Sequence, residues 1–394
     1  MDFPNPVASH SSSPDQSTSL STWDIREFLN PKRLTMIMWD TAYIQRHHKG
    51  GSFEDYDLVL DQAVERGYNT IRIDPMPQVI DLANPSEEII FPDPNQPQMP
   101  WCGRSANQGP AGEWVIEFVE KMRARNLHYT LSSWWFHDPK SFATPRHQPT
   151  NHVEAAEVWA KQLRLWKDRL GFDGLLYVDI HNECPFFLPD YRGKKIQAEA
   201  GEGWHTQKGY DYVTRDVNAA MEVLMMEFPE LRFTISMHDD VKWIKLPLEI
   251  DCLDVHFFGS CDPRWSWRTK FGQYMGDFMT KTDWHKDFND RCNKARSVAP
   301  MLRASQRHRL AQFARWAAER GTPLTTTESW ACWYYHDSPD LDWSWLLEWA
   351  EWSVEDAIEF KMWGWTPHNY LHPHFSHWKD VKWHRRLTEK FLKG

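Results

Sequence analysis

Residues 174–183 read Gly-Leu-Leu-Tyr-Val-Asp-Ile-His-Asn-Glu, a glycine stop followed by a β-rich apolar run that gives way to a loop at Asn182 and Glu183. A second stretch, Leu324-Thr325-Thr326-Thr327-Glu328-Ser329-Trp330, ends in the same manner at Glu328. Each places a carboxylate where a strand ends. Between and around them, short β-branched or aromatic runs alternate with longer stretches of helical periodicity. The pattern predicts strands over 34–39, 69–74, 128–134, 174–182, 232–237, 252–258, 324–328 and 362–366. Helices are expected over 53–66, 112–125, 152–169, 210–228, 302–320, 343–360 and 381–392, with little helix between the fifth and sixth strands.

Eight strands, all but the fifth followed by a helix, with Gly or Pro at nearly every αβ junction, predict a (β/α)8 TIM barrel rather than an open doubly wound sheet. The first strand runs into Met38-Trp39-Asp40-Thr41 and lacks the glycines that a dinucleotide phosphate needs. The barrel is expected over 23–394, after a Ser- and Pro-rich tail, 1–22, expected to be disordered. The αβ turns are short and three βα connections are long, 75–111, 184–209 and 259–300. That asymmetry places the elaborated surface on the C-terminal face of the barrel, where this fold carries its chemistry.

The chain of 394 residues carries a formal net charge of −10, and its basic residues are scattered, which argues against a nucleic-acid partner. No apolar run approaches membrane-spanning length, and the first residues lack the basic and apolar regions of a signal peptide, so a cytoplasmic, membrane-free protein is expected. The six cysteines show no zinc or redox spacing and read as free thiols. The 24 Trp and 19 His exceed the needs of core packing, and Trp in loops suits the apolar C–H faces of sugar rings. Neither a cofactor nor a metal is expected, and oligomeric state is left open.

Two carboxylates facing each other across a barrel mouth are what glycoside hydrolysis with retention requires. One acts as general acid and base and the other, about 5 to 5.5 Å away, as nucleophile. Glu183 and Glu328 are the candidates. The sequence resembles the large clan of retaining glycosidases on a (β/α) barrel, in which the acid/base Glu follows an Asn at the end of strand four and the nucleophile Glu ends strand seven. The resemblance implies that Asn182 and Glu183 carry the acid/base position and Glu328 the nucleophile. It also implies that Arg72, in Thr70-Ile71-Arg72-Ile73-Asp74, holds the nucleophile ionised, that His256 occupies the aromatic or His position of strand six, and that Trp365 floors the sugar subsite. More narrowly, Met38-Trp39-Asp40 with Tyr68-Asn69-Thr70-Ile71-Arg72-Ile73-Asp74 looks like the sugar-binding, cellulase-like family. Strand three departs from the clan: it reads Leu131-Ser132-Ser133-Trp134-Trp135, and the nearest histidine, His137, lies beyond it.

Asp40, Asp74, Trp134, His137, His238 and Asp239, at strand ends, and Trp330, just past Glu328, are further candidates for sugar contacts. Aromatic residues in the three long loops suggest a pocket, hence exo action on a small β-linked glycoside or oligosaccharide. Two rival readings use the same residues. Glu183, His238, His256 and Glu328 could hold a divalent metal, as in sugar isomerases and epimerases of this fold, or the protein could bind sugar without catalysis.

Overall fold

The structure, a computed structural model, describes residues 24–92, 106–135, 145–269, 285–332, 337 and 342–394. All eight expected strands are present: β1 Leu34–Asp40, β2 Thr70–Ile73, β3 His128–Ser132, β4 Leu175–Asp179, β5 in two pieces (Phe233–Thr234 and Ser236–His238), β6 Leu253–Phe258, β7 in two pieces (Leu324–Thr325 and Ser329–Trp330), and β8 Gly364–Trp365. Every ladder between these eight strands is parallel, and the pairing runs in chain order from β1 to β7 with β8 returning to β1. The remaining seam between β7 and β8 is joined by Trp363 N donating to Leu324 O at 2.7 Å and Thr326 N donating to Gly364 O at 3.3 Å. The sheet thus closes on itself as a (β/α)8 barrel.

Helices Tyr56–Glu65, Ala111–Ala124, His152–Arg169, Gln207–Glu227, Ala299–Arg320, Ser344–Glu359 and Val381–Lys393 form the outer layer. Several begin where a short polar side chain can accept an otherwise unpaired backbone N–H. Asn151 accepts from Glu154 N, Asp55 from Leu58 N, and Thr206 from Gly209 N, so the fourth of these starts three residues earlier than its apolar periodicity indicated. Only a 3-10 turn, Val241–Trp243, separates β5 from β6. The three long connections carry structure of their own: an antiparallel hairpin, Glu88–Phe91 with Asn107–Pro110, after β2; helix Gly193–Ala200 after β4; and helices Pro263–Thr269 and His285–Ala295 after β6. Among the described residues no helix is long and apolar enough to cross a membrane.

Packing inside the barrel sets the side-chain parity that decides the site. At the N-terminal end Leu29, Leu34, Met36, Leu176, Tyr177, Cys252 and Trp363 form a separate buried apolar cluster. Gly364 faces inward, where a Cβ would meet Thr325 Oγ1 at 2.0 Å and Met36 Sδ at 2.8 Å, so no larger residue fits without displacement. Because strand side chains alternate, its neighbour Trp365 must face the helices. Toward the C-terminal end the inner residues become polar: Arg72, Asp179, Ser236, Asp254, His256 and Thr327 are all buried.

Candidate active site

Arg72 is the hub of the C-terminal end. It is wholly buried on β2, where an unpaired guanidinium would be prohibitively costly. Its Nε and Nη2 grip Asp40 at 2.8 and 2.9 Å, Nη1 donates to Asn182 Oδ1 (2.8 Å) and Thr327 Oγ1 (2.9 Å), and Nη2 donates to Glu328 Oε1 at 2.6 Å. Trp134 Nε1 adds a donor to Asp40 at 2.7 Å. The other oxygen of Glu328 accepts from Asn369 Nδ2 at 3.0 Å. Burial pushes the Glu328 carboxyl up to about 7, against the pull of Arg72 and His256.

Glu183 stands opposite. Its Oε1 lies 3.1 Å from His238 Nε2 on β5 and 3.2 Å from His256 Nδ1 on β6. Burial opposes the charge on Glu183, but the two histidines outweigh it and hold the carboxyl well below the usual carboxylate range. Reciprocally, burial opposes protonation of His238, yet Glu183 draws its pKa well above the ordinary imidazole value. One oxygen of Glu183, one of Glu328 and a ring nitrogen of His256 all lie within 4.8 Å of one another.

Neither glutamate reaches this position by simple strand alternation. The β4 ladder ends at Asp179, and the chain passes through His181 and Asn182 to Glu183, whose φ is +53°. Asn182 N donates to Ser133 O, Glu183 N to Ser236 Oγ and Cys184 N to Ser236 O, each at 2.9 Å, so the turn is stitched to β5 and to the chain just past β3. His181 accordingly does not share a face with Glu183; its Nδ1 meets His152 Nε2 of the helix layer at 2.9 Å. β7 is likewise interrupted between Thr325 and Ser329, which lets Thr327 and Glu328 both contact Arg72 although they are adjacent.

The structure brings Asp40, Arg72, Trp134, Asn182, His238 and His256 together with the two glutamates. Asp74, just past the end of β2, has its carboxylate accepting from the backbone of Met76 and Trp134, and burial pushes it up to about 7. Three expected contacts are displaced. Trp365 does not floor a subsite; its Nε1 donates to Ser353 Oγ and its ring packs against Phe391, both in the helix layer, as the inward Gly364 requires. Trp330 also faces the helix layer, stacked on Phe257 at 5.5 Å with Nε1 donating to Thr366 O. Asp239 is held by Arg309 of helix Ala299–Arg320 at 2.6 Å. His137 lies outside the described residues. Sequence reasoning missed Asn369 and Thr327. Thr327 precedes Glu328 and was visible as a neighbour, whereas nothing in the loop after β8 distinguishes Asn369.

A family model described as sugar-binding, cellulase-like matches residues 36–392. The chain belongs to the sugar-binding, cellulase-like family. No curated protein matches this cellulase-like chain. Among solved structures it is similar in fold to a protein assigned as a glycoside hydrolase from Parabacteroides distasonis, with TM-score 0.77 and 24% identity over 91% of this chain and 93% of that one. An endocellulase from Pyrococcus horikoshii (TM-score 0.48, 11% identity, 90% and 92% coverage) and a Streptomyces cattleya GH5_18 protein in complex with GlcNAc (0.46, 13%, 91% and 79%) are too distant to inform on its chemistry.

Proposed function

We propose that this cellulase-like protein is a retaining glycosidase working by double displacement through a covalent glycosyl-enzyme. The observation that carries the reading is the approach of Glu183 and Glu328 to within 4.8 Å, oxygen to oxygen. Retaining enzymes hold their carboxyl groups about 5 to 5.5 Å apart, whereas inverting enzymes leave about 6.5 to 9.5 Å for a water. Glu328, with both oxygens oriented by Arg72 and Asn369, is suited to attack the anomeric carbon. Glu183 is held ionised by two histidines that carry the proton, so it is placed to pass that proton to the departing oxygen and later to activate water. The buried Nδ2 of Asn182 has no partner among the described residues and can donate to a sugar hydroxyl.

The finer reading is exo action on a small β-linked glycoside or oligosaccharide. It is supported by the hairpin and helices that elaborate the three long connections on the mouth side. A divalent ion bound by Glu183, His256 and Glu328 is the weaker reading, because Arg72 Nη2 already donates to the Glu328 oxygen that such an ion would need, and its charge would repel a cation.

The test is a panel of aryl glycosides with two variants. Glu328→Ala should abolish turnover. Glu183→Ala should still form the intermediate from substrates with good leaving groups and be rescued by azide, yielding a glycosyl azide of retained configuration. Wild-type turnover in both variants, or loss of activity on chelation, would refute the assignment.

A further inference from the structure

Thr327 precedes Glu328, yet its hydroxyl serves the opposite carboxylate. Three polar groups surround Oγ1: Arg72 Nη1 donates to it at 2.9 Å, it donates to Asp254 Oδ2 at 3.0 Å, and His256 Nε2 lies 3.2 Å away. A hydroxyl has one proton and two lone pairs, and a guanidinium can only donate. Asp254 is an acceptor on both oxygens, from Thr327 N on Oδ1 and from Tyr177 OH on Oδ2. The Thr327 proton therefore goes to Asp254 and one lone pair to Arg72. The remaining lone pair admits only a donor, so His256 Nε2 must carry hydrogen. Nδ1 faces Glu183 Oε1 at 3.2 Å, a carboxylate oxygen held ionised that can only accept, and, against the opposition of burial, the acids around the ring favour its protonated form. Two acceptors cannot share that contact without a proton between them.

We propose that Thr327 is a positioning residue that keeps Nε2 of His256 protonated and thereby leaves the labile proton on Nδ1, in the Glu183–His256 contact. This rests on the division of labour between Glu183 and Glu328 proposed above. The charged and titratable groups facing His256 are Glu183, Glu328 at 4.0 Å, Asp254 at 3.9 Å and the His238 ring at 6.3 Å, with Arg72 reaching it through Thr327. In the first step the shared proton passes to the leaving oxygen as the glycosidic bond breaks and the bond to Glu328 forms. In the second, attacking water gives its proton back to the same contact as the Glu328 bond breaks, so the cluster ends with the proton it began with.

The full-length protein, with histidine labelled at both ring nitrogens, is examined by nitrogen NMR, the His256 resonances being identified by their loss in His256→Gln. The expected result is hydrogen on Nε2 in the wild type and in Thr327→Ser, with Nδ1 the nitrogen that titrates, and a population with bare Nε2 in the near-isosteric Thr327→Val. This readout does not require turnover, so it stands apart from any failure of the glycosidase reading, which would show as absence of hydrolysis in the wild type. On aryl glycosides Thr327→Val should lose about tenfold or more in kcat/KM with poor leaving groups and little with activated ones, since proton transfer contributes about 10²- to 10⁴-fold. Its alkaline limb should move to lower pH, and Thr327→Ser should restore both. A wild-type His256 with bare Nε2 overturns the proposal whatever the variants do, as does a Thr327→Val enzyme with unchanged Nε2 protonation and pH profile.

Discussion

Replacing Arg72 with Met tests the centre of the site. The guanidinium is fully buried and neutralises two buried carboxylates, Asp40 and Glu328. Methionine fills much of the volume but leaves both acids unpaired, and removing one partner of a buried ion pair costs about 3 to 5 kcal/mol. Urea unfolding at neutral pH should therefore show Arg72→Met less stable by about that amount. Adding Asp40→Asn removes one orphaned charge and should recover a substantial part of the loss, a non-additivity that a double-mutant cycle reads directly. Activity gives an independent readout. Arg72 lowers the Glu328 pKa, so its loss must raise that carboxyl further above about 7, and the acidic limb of the rate profile should move to higher pH, each unit corresponding to about 1.4 kcal/mol. An Arg72→Met protein within about 1 kcal/mol of wild type, with an unmoved acidic limb, would show that Arg72 neither stabilises the barrel end nor serves Glu328.

Trp365→Phe loses the hydrogen bond to Ser353 but nothing at the mouth, so it should cost about 1 to 3 kcal/mol of stability with KM nearly unchanged; a large rise in KM would return Trp365 to the subsite. His377 is buried and held at about 4, below the ordinary 6.5; it stays neutral in the folded state while the unfolded chain takes up a proton, so stability is lost as pH falls from about 6.5 toward 4, by up to about 3 kcal/mol from this group. His377→Gln should flatten the pH dependence of unfolding by about that amount, and an unchanged slope would refute the assignment. Exo action predicts single sugars released from the non-reducing end of oligosaccharides; a rapid fall in polysaccharide viscosity would contradict it.

The sequence alone determined the barrel, because eight alternations of two- and 3.6-residue periodicity with Gly and Pro at the junctions are local signals, each readable within a window of ten to twenty residues. It also determined which two glutamates to examine, since both follow β-rich runs at corresponding places, and it picked out Arg72, which could not be buried between Ile71 and Ile73 without an anion. Tertiary structure decided which way the side chains point. Trp365 and Trp330 looked like sugar platforms, but parity along β8 is set by Gly364, whose inward place depends on Met36 and Thr325 from distant parts of the chain. Glu183 and Glu328 meet because two ladders stop early and their turns are stitched to neighbouring strands, and Asn369 joins Glu328 from a loop 41 residues further on. Periodicity fixes where strands occur; the facing of residues at their ends depends on contacts between segments far apart in sequence, which no local pattern contains.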